Sequence, residues 1–210
     1  FTYSYDTGRK GLPAMSVYFE MQNLTRGVTL DEKNFPDEAF RALLAETVDG
    51  NGDSLLSTLE TRRVSELNCS GLGIADLTGI EHFTQLVALN CESNELTALD
   101  VSKNTHLSEI YCGGNRLATL DLTGLPIKDA ETDTGHVQKL TGSYTLSGTE
   151  NGVGLFDLSQ IVGKAHIGSI TEVKGAAYDK ETGIARYSAA VETPSYTYST
   201  GSSAVSLTVE

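Results

Sequence analysis

The chain has 210 residues, of which 15 are Lys or Arg and 28 are Asp or Glu, so its formal net charge at pH 7 is −13. This negative charge disfavours binding to nucleic-acid phosphates or to an anionic membrane, because both surfaces would repel the chain. Hydrophobic residues make up 39% of the sequence, and no apolar run approaches the ~18 residues that a membrane helix requires. We therefore expect a folded chain that neither binds nucleic acid nor inserts into a membrane.

The two ends of the chain resemble each other in sequence. The run "TYSYDTG" at residues 2–8 matches "SYTYSTG" at 195–201, and "AMSVYFE" at 14–20 matches "AVSLTVE" at 204–210. Each copy has β-branched and aromatic residues on either side of a Gly-containing turn, which predicts an antiparallel hairpin. We interpret residues 1–21 as the final hairpin of a preceding β module. Because its edges would be unpaired, we expect it to pack on the next helical segment or to pair with another chain.

Residues 22–63 are predicted to form a helical N-terminal cap. The run "NFPDEAFRALL" begins with Pro36 and Asp37, which are typical of a helix start, and Phe40, Leu43 and Leu44 recur at helical spacing. A repeat array leaves an apolar end open, and a helix at this point would cover it.

The run "DGNGDSLLSTLE" at residues 49–60 has the ligand spacing of an EF-hand-like calcium loop. Its predicted ligands, in loop order, are Asp49, Asn51, Asp53, the Leu55 carbonyl, Ser57 through a water molecule, and Glu60. Ser54 departs from the pattern, since Gly normally provides the positive φ of the sixth position. The alternative is a polar turn, which Asp, Asn and Gly commonly form.

Residues 64–126 contain three units with the leucine-rich repeat pattern, at 64–85, 86–106 and 107–126. The inward positions of the strands are predicted to be Leu67 and Cys69, Leu89 and Cys91, and Ile110 and Cys112, with Ile74, Leu96 and Leu117 behind them. Asn94 and Asn115 occupy the ninth position, where the first unit has Leu72 instead. No unit can bury its apolar face alone, so the units are expected to stack.

The three cysteines fall at the same inward position of successive units. We interpret them as a ladder of small buried hydrophobes. A metal site or a nucleophile is the weaker alternative, because adjacent rungs of the ladder share no His or carboxylate partner in the sequence.

The same register assigns an outward, concave side to the strands. Its predicted ligand-binding residues are Glu66, Asn68, Ser70, Asn90, Glu92, Glu109 and Tyr111. Three carboxylates, two amides and one aromatic ring suit hydrogen bonding to a glycan or to a basic protein surface. The alternative is a sheet face that is merely solvated.

Residues 127–210 lose the period and are predicted to form an all-β module. We expect a strand in "GSYTLSG", a strand and a helical turn in "GLFDLSQIVG", and two strands in "SITEVKGAAYDKETGIARYSA" joined by a turn around Lys180, Thr182 and Gly183. The hairpin at 195–210 closes the module, which would seal the last repeat as a sandwich-like unit.

With these elements in place, the chain resembles the internalin-like leucine-rich repeat surface proteins of Gram-positive bacteria, particularly those of gut commensals. The resemblance is carried by "NFPDEAFR" with "DGNGDSLLSTLE", by "LNCESNELTALDVSKNT", and by the closing "FDLSQIVG" and "YTYSTG" runs. It implies an extracellular location, on the cell surface or secreted, and binding to host or bacterial proteins or glycans.

The function predicted from these features is non-catalytic binding through the concave sheet. The sequence lacks HExxH, GxSxG and phosphate-loop motifs, which leaves an enzyme as the weakest interpretation. The alternative function is a structural spacer in a tandem surface protein. The predicted fold is α/β: a short leucine-rich repeat solenoid with a helical, EF-hand-like cap and a C-terminal all-β module.

Overall fold

A computed structural model describes residues 2–5, 15–18, 27–128, 137–138, 147–150, 153–187, 195–201 and 206–209. The chain begins with strands β1 (Thr2–Tyr5) and β2 (Met15–Tyr18), which pair antiparallel with Tyr3 opposite Val17. The two strands of the predicted N-terminal hairpin thus pair as expected, while the turn between them lies outside the described residues.

Two short strands and two helices precede the repeats. They are β3 (Gly27–Thr29), α1 (Glu38–Thr47), β4 (Leu55–Ser57) and α2 (Thr58–Arg63), and β3 pairs antiparallel with β4. The α1 helix begins just after the predicted Pro36–Asp37 start, because the Asp37 side chain accepts a hydrogen bond from the Phe40 amide at 3.0 Å. The second Asp37 oxygen accepts from the Ala75 amide at 2.8 Å, which ties the start of α1 to the first repeat.

The three repeat units stack through a parallel sheet. Its strands are β5 (Glu66–Asn68), β6 (Ala88–Asn90) and β7 (Glu109–Tyr111), and a short 3-10 helix spans Ile80–His82. Leu67, Leu89 and Ile110 lie side by side in register, and they are buried together with the three cysteines. The predicted inward positions are confirmed, and alternation along each strand places the neighbouring side chains outward.

Buried amide side chains join one repeat turn to the next. The Asn94 Nδ2 donates to the Cys69 and Cys91 carbonyls, at 2.8 and 3.0 Å, and its Oδ1 accepts from the Leu72 and Ile74 amides. The first turn is thus satisfied by the Asn of the second, and the Leu72 side chain, which replaces Asn, is 45% exposed.

The remaining elements form two four-stranded sheets. Their strands are β8 (Val137–Gln138), β9 (Gly148–Glu150), β10 (Val153–Asp157), β11 (Ile170–Val173), β12 (Ala176–Asp179), β13 (Ile184–Tyr187), β14 (Tyr196–Ser199) and β15 (Ser206–Val209). A short helix α3 (Ser159–Val162) and a 3-10 helix (Lys164–Ser169) connect β10 to β11. The strand orders are β12-β13-β10-β9 and β11-β14-β15-β8.

One prediction for this region is wrong. The run "SITEVKGAAYDKETGIARYSA" was expected to contain two strands, but it contains three, because the chain turns at Gly175, where φ is +74°. The turn separates β11 from β12, which belong to different sheets. The predicted turn after Asp179 does join β12 to β13, while the strand expected in "GSYTLSG" falls largely outside the described residues.

The hydrogen-bonding pattern of the repeats continues past residue 126. Gln138 of β8 is fully buried; its Nε2 donates to the Cys112 carbonyl at 2.9 Å and its Oε1 accepts from the Leu117 amide at 3.0 Å. Asn115 makes the equivalent bonds one turn earlier in the stack, to the Cys91 carbonyl and from the Leu96 amide. Asn94, Asn115 and Gln138 thus form a series of buried amide side chains, which we call the amide ladder. Its last member, Gln138, belongs to the β11-β14-β15-β8 sheet.

Candidate functional site

The seven predicted ligand-binding residues lie on one side of the repeat sheet. In-register pairing forms one row of Glu66, Ala88 and Glu109, and a second row of Asn68, Asn90 and Tyr111. Ser70 and Glu92 follow the first two strands. We call the set of Glu66, Asn68, Ser70, Asn90, Glu92, Glu109 and Tyr111 the outer face.

Two amides of the outer face are partly engaged in local bonds. The Asn68 Oδ1 accepts from both the amide and the hydroxyl of Ser70, at 3.1 and 2.9 Å. The Asn90 Oδ1 accepts from the Glu92 amide at 3.1 Å. Each Asn therefore fixes the turn after its strand, and its amide NH2 group is the part that could contact a ligand.

The outer face is acidic and has one aromatic residue. Glu66 and Asn68 are exposed, and the other five residues are half-buried. Adjacent strands lie about 4.8 Å apart, so the backbones carrying Glu66 and Glu109 are separated by roughly 10 Å, with the small Ala88 between them. The small Ala88 therefore lies between two carboxylate residues in one row, and Tyr111 lies in the next row.

A second surface feature was not anticipated from the sequence. An open groove of about 480 Å³ lies over the loops that follow the strands, and it contains none of the outer-face residues. Glu95 and Arg116 line it and form an ion pair at 3.3 Å. Both residues occupy the tenth position of their repeat units. The repeat period could therefore have predicted that their side chains lie next to each other in the stack.

The predicted calcium loop has the expected backbone conformation at Ser54, the residue that departs from the calcium-loop pattern. Ser54 has a φ of +59°, the left-handed conformation that the sixth loop position requires. The two Asp49 carboxylate oxygens accept from the Gly52 and Ser54 amides, each at 2.9 Å. The Glu60 carboxylate accepts from the Gly50 and Ser57 amides and from the Ser57 hydroxyl, which makes it part of the α2 capping box.

The acidic side chains of this loop are not gathered around one point. Within the described residues, no three His, Cys, Asp or Glu side chains form a group that could hold a metal ion. The Asn51 and Asp53 oxygens likewise bond to the backbone two residues further on. The backbone of the loop thus fits the predicted site, the calcium itself remains a prediction, and the side chains would have to converge to bind it.

The cysteine ladder has no reactive thiolate. Cys69, Cys91 and Cys112 are free and fully buried, and burial raises the pKa of the Cys69 and Cys112 thiols from an ordinary 9.0 to about 12. The pKa of Cys91 is also well above its usual value, chiefly through burial. The protonated thiol therefore predominates at neutral pH, which does not suit a nucleophile.

In the described part of the chain, no helix is long and apolar enough to span a membrane.

Comparison with known proteins gives one clear relative in sequence. Internalin J of Listeria monocytogenes serotype 4b (strain F2365) is 37% identical to this chain over 71 residues, which are 34% of this chain and 8% of internalin J. This is an internalin-like leucine-rich repeat protein. The internalin-like chain thus matches only a small part of the length of its relative. No protein-family model matches it.

Two solved structures of internalins are also similar to the internalin-like chain. The functional domain of InlJ from L. monocytogenes, which includes a cysteine ladder, is 33% identical with a TM-score of 0.45, and covers 57% of this chain and 26% of that one. Internalin C2 of L. monocytogenes strain F2365 is 20% identical with a TM-score of 0.40, and covers 51% of this chain and 54% of that one. Since both TM-scores are below 0.5, the sequence match carries the assignment.

Proposed function

We propose that this internalin-like protein is a non-catalytic binding module of a Gram-positive bacterial surface or secreted protein, and that its outer face contacts a protein or a glycan. The observation that carries the proposal is the in-register row of Asn68, Asn90 and Tyr111 beside the row that contains Glu66 and Glu109. A ring with hydrogen-bonding groups at its side suits a glycan, and two carboxylates with a small residue between them suit a Lys or Arg side chain.

We further propose that the stacked repeats form a short solenoid with a helical N-terminal cap and a C-terminal β module. The Asp37 bond to the Ala75 amide supports the cap at one end. The Gln138 bonds to the third turn support the β module at the other. A solenoid with both ends covered would hold the outer face rigid, which limits the entropy lost when a ligand binds.

The experiment is a binding screen of the purified chain against arrays of host and bacterial glycans and surface or matrix proteins. We expect at least one ligand whose binding is lost when Tyr111→Ala and Glu109→Lys are introduced, because these changes remove the aromatic contact and invert a charge. Glu181→Lys is the matched control, since it makes the same charge change at an exposed position beyond the repeats.

Two results would contradict the proposal. If a ligand binds equally well to the outer-face variant and to the Glu181→Lys control, then another surface is the site. If the folded chain binds nothing on the arrays, then the alternative function, a structural spacer that holds other modules away from the cell, is favoured.

Calcium binding to the loop at residues 49–60 is a second proposal, supported by the positive φ of Ser54. The residues that would hold the ion are Asp49, Asn51, Asp53, Leu55, Ser57 and Glu60. Bound calcium would neutralise carboxylates that lie next to the start of α2. Calorimetric titration of the chain, with Asp49→Ala as the comparison, tests this proposal; no heat of binding, or an equal heat in the variant, would contradict it.

A further inference from the structure

The sequence similarity between the two ends of the chain is concentrated at certain positions. Tyr, Tyr, Thr and Gly recur within the two runs "TYSYDTG" and "SYTYSTG"; in the C-terminal copy they are Tyr196, Tyr198, Thr200 and Gly201. The positions between them differ, since Thr197 and Ser199 replace Ser4 and Asp6. The structure of the C-terminal copy explains which positions are kept.

The two recurring tyrosines hold β14 in place. Tyr196 is 5% exposed, and its hydroxyl donates to the Ala118 carbonyl of the third repeat at 2.9 Å. Tyr198 is 3% exposed, and its hydroxyl lies 2.9 Å from the His166 Nδ1. Thr197 and Ser199 face away from this contact and are half-buried and exposed, respectively.

The recurring Thr and Gly continue the same contact along the chain. The Thr200 carbonyl accepts from the Leu122 amide at 2.7 Å, and Thr200 is 1% exposed. A Cβ at Gly201 would lie 2.2 Å from the Thr123 Oγ1 and 3.2 Å from the Thr123 Cβ, so only Gly fits there. All four recurring positions therefore lie against the third repeat or against the segment that follows β10.

We infer that residues 3–8 are a second docking segment, suited to lie on the third repeat of another copy of this chain in the place of residues 196–201. The two segments share the residues that make the contact and differ at the positions between them. This inference is independent of the proposed function, since it concerns neither the outer face nor its ligand.

The strand pairing of the two hairpins agrees with this inference. Within the described residues, β1 and β2 pair only with each other, whereas β14 and β15 are flanked by β11 and β8. Tyr3 lies opposite Val17, while its counterpart Tyr196 lies opposite Val209, which matches Phe19. The two registers therefore differ by two residues, and an even shift keeps the alternation of the paired strands in phase.

The docking site is occupied by the chain's own β14–β15 hairpin, and an internal segment has the higher effective concentration. We therefore expect the unchanged chain to be monomeric. When its own hairpin is displaced, the N-terminal hairpin of a second molecule should take the site. This contact joins two different surfaces, so it should build head-to-tail assemblies.

The test uses the full chain with Gly201→Val, which creates a clash with Thr123, and separately with Tyr196→Ala, which removes a contact without a clash. Light scattering after size-exclusion chromatography should show concentration-dependent oligomers of both variants. Adding Tyr3→Ala and Tyr5→Ala should return each to the monomer. Adding Tyr18→Thr, which installs the residue found at the matching position 208, should leave the oligomers intact.

A cross-link identifies the contact itself. With Tyr5→Cys and His166→Cys added to the Gly201→Val chain, we expect an intermolecular cross-link by a short thiol-reactive bismaleimide, because the position of Tyr5 matches that of Tyr198, whose hydroxyl reaches His166. Monomeric variants, or oligomers that survive Tyr3→Ala and Tyr5→Ala, would overturn the inference. Loss of cooperative melting in both displaced variants would also overturn it, since the second segment would then have failed to replace the first.

Discussion

At the scale of single residues, buried amide side chains hold the repeat turns together. Asn115 is 1% exposed; its Nδ2 donates to the Cys91 and Cys112 carbonyls, each at 2.9 Å, and its Oδ1 accepts from the Leu96 amide at 3.0 Å. The loops between strands have no ladder partners for these backbone groups, and burial removes water as a substitute. One side chain therefore satisfies polar groups of two successive turns.

Asn115→Ala should lower the free energy of unfolding by about 3 kcal/mol, because it leaves the buried Leu96 amide without a partner and removes one of two bonds from each of the Cys91 and Cys112 carbonyls. Urea unfolding followed by circular dichroism measures the change. The control is Asn68→Ala, at an exposed Asn that bonds locally to Ser70, which should cost less than about 1 kcal/mol. Equal losses for the two variants would show that the buried bonds contribute little.

Ser54→Gly should stabilise the chain. The left-handed conformation costs a non-Gly residue about 1–2 kcal/mol, and the greater freedom of Gly in the unfolded chain offsets part of the gain, which leaves about 0.5 kcal/mol. Ser102→Gly, at an exposed Ser that does not have a positive φ, should be destabilising instead. Unfolding in the presence of chelator compares the two variants, and a loss of stability in Ser54→Gly would show that Ser54 is not strained.

At the scale of elements, β8 links the repeats to the C-terminal sheets. The strand pairs in parallel with β15, so Gln138 connects the amide ladder directly to the β11-β14-β15-β8 sheet. The Tyr196 bond to the Ala118 carbonyl makes a second connection from β14 of the same sheet. We therefore expect the repeats and this sheet to unfold together.

Gln138→Ala should lower the free energy of unfolding by about 2 kcal/mol, because it leaves the buried Leu117 amide without a partner and leaves the Cys112 carbonyl with only its bond from Asn115. Separate probes of the two regions should then report different unfolding midpoints. Gln160→Ala, at an exposed Gln of α3, should leave both midpoints unchanged. A single midpoint with no loss of stability in Gln138→Ala would contradict the role given to β8.

At the scale of the whole molecule, the cysteine ladder should make the free energy of unfolding decrease at alkaline pH. The thiols of Cys69 and Cys112 have an ordinary pKa of 9.0 when unfolded and about 12 when buried, so the unfolded chain loses these protons first. A raised folded pKa gives stability that is complete below the unfolded pKa and is lost as the pH rises toward the folded pKa. The loss should therefore fall between pH 9 and pH 12.

The expected outcome is that the free energy of unfolding, measured in urea with a reductant present, falls as the pH is raised above 9. Other groups titrate in this range, and the comparison with Cys112→Ala isolates the thiol. The variant should be less stable at neutral pH, because it loses a buried side chain, but its stability should fall less steeply with pH. Parallel pH profiles for the two chains would contradict the prediction.

Much of this architecture could be predicted because it depends on patterns within short stretches of sequence. The inward Leu and Cys positions follow from the repeat period, α1 follows from Asp37 and its helical spacing, and both terminal hairpins follow from alternation around a turn. The outward position of the seven outer-face residues follows from the same strand alternation, while their contact with a ligand stays a prediction.

Only the tertiary structure decided which distant segments meet. Gln138 could not be assigned to the amide ladder from sequence, because it lies outside the repeat period and acts on Cys112 and Leu117. The break at Gly175 was missed because the division of β11 and β12 between two sheets depends on their partners β14 and β13. Local sequence thus determined the elements and their buried faces, whereas long-range hydrogen bonds determined how the elements are joined.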